Sequence, residues 1–153
     1  MGKLRLLFNL FLDEYYIKIL GYKERLKMNS YVIPIEIYNH DIVFVTGKDE
    51  ECINYLVKKF DMDENFLKDN INDNFGGCAI NLSGGLIVCW VCDQNNQFNL
   101  FHEIEHCGNF ILRNIGVNLD SNSEESYSYL KTHILKLITE KIKKTKKRKV
   151  KKR

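Results

Sequence analysis

The chain has 153 residues, 44% of them apolar, which suits one compact domain and requires no second. Its formal net charge of +3 conceals two unlike parts: ten of the 23 Lys and Arg residues lie in 141–153, leaving thirteen against twenty acids in 1–140. Five cysteines, an odd number, argue for a reducing compartment over a disulfide framework, and no segment approaches the ~18–20 apolar residues of a membrane span.

In chain order, Leu4, Leu7, Phe8, Phe11, Tyr15 and Ile19 trace a helical stripe that predicts a helix packed on a sheet. Asn9, Asp13 and Glu14 interrupt the apolar run that a secretion signal would need. Two β-rich runs, residues 31–38 and 42–45, flank Asn39-His40-Asp41 and predict a hairpin with His40 in a solvated turn. Pro34 favours an edge position. Cys52, Leu56 and Phe60 share one side of a helix over 49–60 with its cap near Lys48 or Asp49, and an acid- and Asn-rich link follows. Residues 77–82 and 86–92, joined by Ser83-Gly84-Gly85, predict a second hairpin. Cys89 and Cys92 have C-x-x-C spacing, but three steps along a strand send their sulfurs to opposite faces, so the pair is expected to be structural.

A polar turn at 93–97 leads into a helix whose buried stripe is Ile104, Gly108, Ile111 and Ile115, with Gly116 as its stop. A short link then reaches Ser121-Asn122-Ser123-Glu124, a capping-box pattern opening a last helix through Leu130, Ile134 and Leu137. Residues 141–153 are too self-repelling and too poor in apolar side chains to pack, which predicts a disordered end or a frayed helical extension. Such a run attracts phosphates, so nucleic acid is an expected partner alongside a plainly solubilising role.

The chemistry concentrates in His102-Glu103-Ile104-Glu105-His106. Residues four apart are neighbours on a helix, so both imidazoles reach one tetrahedral ion while Glu103 stands beside them as a base for water. A hydrolytic zinc site usually takes three protein ligands and keeps one position for water. Glu124 and Glu125 open the next helix; if Ser121 is the N-cap, Glu124 turns back to the cap amide and Glu125 is the carboxylate left to bind metal. His133 is a competing ligand. Tyr129 and His133 are candidates to stabilise a tetrahedral oxyanion, and Asn109 and Arg113 extend the histidine stripe.

Phe101-His102-Glu103-Ile104-Glu105-His106, Ile111-Leu112-Arg113-Asn114-Ile115-Gly116-Val117 and Ser123-Glu124-Glu125-Ser126-Tyr127-Ser128-Tyr129-Leu130 resemble small zincin-like metallopeptidases of phages and prophages. The resemblance covers about a quarter of the chain and is of the gluzincin type, in which H-E-x-x-H on one helix is joined by a Glu from the next. It implies His102, His106 and Glu125 as zinc ligands, Glu103 as the base, a peptide or protein substrate and the cytoplasm of a bacterial host. The expected architecture is α+β, a small antiparallel or mixed sheet with helices on one side, forming a single zincin-like domain over 1–140 with a basic tail over 141–153. Substrate is expected along residues 86–92. From another functional class comes a noncatalytic binding protein whose tail contacts nucleic acid or a virion component.

Overall fold

The computed structural model describes residues 28–72 and 74–150. Among these, four strands form one mixed sheet: β1 (Asn29–Ile35), β2 (His40–Thr46), β3 (Gly77–Asn81) and β4 (Leu86–Val91), in the order β1-β2-β4-β3. The two hairpins, β1 with β2 and β3 with β4, are antiparallel, and they join through a parallel pairing of β2 with β4. The helix expected from Leu4 to Ile19 lies outside the described residues.

Helices cover both faces of the sheet, where they were expected on one. Helices α1 (Asp49–Phe60) and α2 (Glu64–Asn70) bury Cys52, Ile53, Leu56 and Leu67 against Val43, Val45, Val88 and Trp90. Helices α3 (Gln97–Asn114) and α4 (Glu124–Val150) bury Leu100, Ile104, Cys107, Ile111, Leu130, Ile134 and Ile138 against Ile42, Phe44, Ile87, Cys89 and Val91. The inner strands accordingly carry unbroken apolar runs, residues 42–45 of β2 and 86–91 of β4, the pattern that a strand covered on both sides requires. Cys89 faces α3 and Cys92 the other core, on opposite faces as strand periodicity predicts.

Three local expectations shift. The link after α1 contains α2, capped by Asp63, whose carboxylate accepts from the Phe66 N–H at 2.7 Å. The β1–β2 turn spans Glu36 to Asn39, so His40 is the first residue of β2 and buried, with Nδ1 2.6 Å from the Tyr38 carbonyl oxygen. The basic end is helical as far as Val150, a continuation of α4.

Packing sets where the helices lie. Helix α3 rests on β3 and β4, while α4 packs against α3 and β1. Between the two, Gly108 lets the Lys131 stem approach α3, and the Lys131 ammonium donates to Glu105 and lies 5.4 Å from the centre of the Tyr127 ring.

Candidate metal centre

Helix α3 begins where Asn96 accepts from the Asn99 N–H at 3.2 Å. It ends in a Schellman turn: Val117 N–H donates to the Leu112 carbonyl at 2.8 Å and Gly116 N–H to the Arg113 carbonyl at 3.0 Å, with Gly116 at φ +82°. Between these stops the apolar stripe turns to the sheet, so the opposite side carries His102 and His106 into solvent. Their Nε2 atoms are 3.2 Å apart and their rings meet edge to face at 84°, with Phe110 stacked 6.2 Å beyond His106. Two nitrogens bound to one tetrahedral ion at 2.0–2.1 Å stand about 3.3 Å apart, so the imidazole pair fits such an ion.

Glu103 occupies the flank of α3 nearest β3 and is only 5% exposed. Its carboxylate accepts a hydrogen bond from the Ala79 backbone N–H. Burial raises its pKa, opposed by the neighbouring His102 and by that hydrogen bond. Gly77 makes the approach feasible, since a Cβ there would stand 2.8 Å from both Cγ and Oε1 of Glu103. Sequence reasoning missed Gly77 and Ala79; the cue was glycine opening a strand, a sign of close approach by another group.

The strand beside Glu103 is an edge. Cys92 N–H donates to the Gly76 carbonyl and Leu82 N–H to the Leu86 carbonyl, which fixes the alternation of the β3–β4 ladder. By that alternation Gly77, Ala79 and Asn81 turn their backbone groups away from β4, and Glu103 takes one of them. The expectation that residues 86–92 meet substrate is corrected here: β4 is hydrogen-bonded on both sides, by β2 and β3, and has no edge to offer.

The third donor is not gathered: among the described residues, no group of three or more His, Cys, Asp or Glu side chains is placed to hold a metal. Glu125 and Glu124 are both exposed at the start of α4. The cap also differs from the expected Ser121–Glu124 box. Asp120 accepts from the Asn122 and Ser123 N–H groups at 2.8 and 3.0 Å, and the Ser123 hydroxyl accepts from the Asp120 N–H at 2.9 Å. Glu124 is thus not engaged at the cap, which removes the reason for preferring Glu125. Lys131 marks the side of α4 that faces α3, and Glu124, seven residues earlier, shares that stripe. Glu125 lies about 100° further round.

The other candidates are not brought to the histidine pair. Tyr129 is 69% exposed and, two residues from Lys131, points about 200° away from the α3-facing stripe. His133 borders a surface depression with Ile33, Pro34, Ile37 and Leu137, on the β1 side of α4. Arg113 is exposed and Asn109 half-buried on the histidine side of α3. His40 belongs instead to a polar cluster: Asn114 Nδ2 donates to His40 Nε2 at 3.2 Å and to Asn81 Oδ1 at 3.0 Å. Beneath α3, Cys89 and Cys107 are hydrogen-bonded thiols; that bond and burial push the Cys89 pKa well up, and burial first, then Glu103, pushes Cys78 up to about 11. Cys78 and Cys89 are thus held as neutral thiols at neutral pH.

Comparison with protein-family models, with curated proteins and with solved structures finds no match for this chain.

Proposed function

We propose that the chain is a zinc-dependent peptidase, with His102 and His106 holding the ion and a carboxylate of α4 completing the set. The observation that carries this reading is the Nε2 pair at 3.2 Å with a buried carboxylate one residue along, held against a strand edge. Glu125 is the carboxylate the resemblance assigns, and Glu124 the one that shares the α3-facing stripe. When bound, zinc lowers the pKa of a bound water towards neutrality and polarises a carbonyl. Glu103 takes a proton and later delivers it to the leaving amine, a role suited by burial, which strengthens its hold on that proton. The Ala79 N–H fixes which way its carboxylate points. The outward backbone groups of Gly77 and Asn81 hold an extended peptide alongside β3, and nothing in this requires more than main-chain recognition. Tyr129 enters no step, because its side of α4 is turned from α3.

No helix among the described residues is long and apolar enough to cross a membrane. None of the five cysteines is joined in a disulfide, which suits a reducing setting, for which we propose the bacterial cytoplasm.

Cleavage of a proteome-derived peptide library, read by mass spectrometry, tests the activity. Wild-type protein supplied with zinc is expected to generate new termini; Glu103→Gln is expected to reduce the rate by about 10²-fold or more while remaining folded. If Glu103→Gln cleaves as well as wild type, the peptidase reading is wrong. If neither cleaves and the chain binds no zinc, the noncatalytic binding protein takes its place.

A further inference from the structure

We infer that the end of α4 docks as a rigid helix in the major groove of duplex DNA, independently of any peptidase activity. Among the side chains of α4 that are described, Ile142 is the last buried one, and the helix runs eight residues past it to Val150, about 12 Å at 1.5 Å per residue. Lys141, Lys143, Lys144 and Lys147 are all exposed there. At 100° per residue they fall within one arc of about 160° opposite Ile142, which faces the body. Lys143 and Lys147, four apart, repel each other, and residues 141–153 hold no acid to offset them. Neither ion pair found among the described residues, Lys68 with Glu64 and Lys131 with Glu105, involves this stretch. A helix face with cations of one sign across so wide an arc is relieved by a polyanion that flanks it on two sides.

Chemistry selects among polyanions. A bilayer surface recruits a basic helix that also has an apolar face to bury, and after Ile142 the only apolar residue is Val150. Single strands are gripped by stacking on aromatic rings, and no Phe, Tyr or Trp follows Tyr129. The major groove of A-form RNA is too narrow for a helix, whereas that of B-form DNA admits one between two rows of phosphates. Binding led by contacts to phosphate is indifferent to sequence.

Fluorescence anisotropy of a labelled 20-base-pair random-sequence duplex, titrated with the full chain, tests this. The logarithm of the association constant is expected to fall against that of salt with a slope of roughly −4 to −6, from about five to seven phosphates neutralised. Removing residues 143–153 is expected to weaken binding at least about 30-fold at low salt. Thr145→Pro keeps all ten basic residues but interrupts the helix beyond Ile142, and is expected to weaken binding about 10-fold, while Thr145→Ala and His106→Ala bind as wild type. Equal binding by Thr145→Pro would reduce the segment to a flexible polycation and overturn the proposal. So would tighter binding to a single strand, to duplex RNA or to phosphatidylserine vesicles than to duplex DNA, or full binding after the truncation.

Discussion

Glu103 is held in place by the absence of a side chain elsewhere. Gly77 lets the carboxylate lie against β3, and the Ala79 N–H orients it, so the base of the proposed reaction is set by a strand that contributes no catalytic side chain. Gly77→Ala would place a methyl 2.8 Å from Cγ and Oε1 and push Glu103 off that donor. The expected outcome is a fall in kcat of roughly 10- to 100-fold, the usual penalty for a catalytic group displaced by about 1 Å. Zinc content is expected to stay at the wild-type level, and steady-state kinetics with metal analysis would show both. At this scale the sequence was legible where spacing alone defines chemistry: residues four apart on a helix must be neighbours, and the Nε2 atoms of His102 and His106 stand 3.2 Å apart. It was illegible where distant segments meet. Nothing local ties Asn114 to His40 and Asn81, so the burial of His40 contradicts its turn-like setting.

Among the elements, stops and stripes were readable and pairing was not. The α3 stripe and its glycine stop follow from the sequence, although Ile115, expected on that stripe, is exposed. Gly116 holds φ +82° with no atom within 4 Å of a Cβ added there, so Gly116→Ala meets only backbone strain. It is expected to lower unfolding free energy by about 1 kcal/mol, seen as a reduced urea midpoint with unchanged slope. Helix α2 escaped notice because seven largely polar residues are too few for periodicity to show. The parallel β2–β4 pairing was hidden because each strand pairs locally with its hairpin partner, and only the unbroken apolar runs hint that both faces are covered. Capping chemistry was displaced by one residue, from Ser121 to Asp120, and that small slip decides whether Glu124 is occupied.

Over the whole molecule, two hairpins joined side by side give a sheet whose β3 edge lies next to the histidine helix, and α4 crosses from α3 towards β1. This arrangement divides the charge as well: an acidic body bears the proposed hydrolytic site, and a basic helix extends from it. The α+β class and the helix bearing the motif could be read directly; whether a carboxylate of α4 meets the histidine pair could not, because that depends on the rotation of one helix against another. Zinc binding by the intact chain, measured in competition with a chromophoric chelator, tests the central proposal that His102 and His106 hold one ion. One zinc per chain is expected for wild type and for Glu103→Gln, with affinity reduced at least about 100-fold by His106→Ala. Absence of stoichiometric zinc from wild type, or zinc bound equally well after replacement of both histidines, would contradict it.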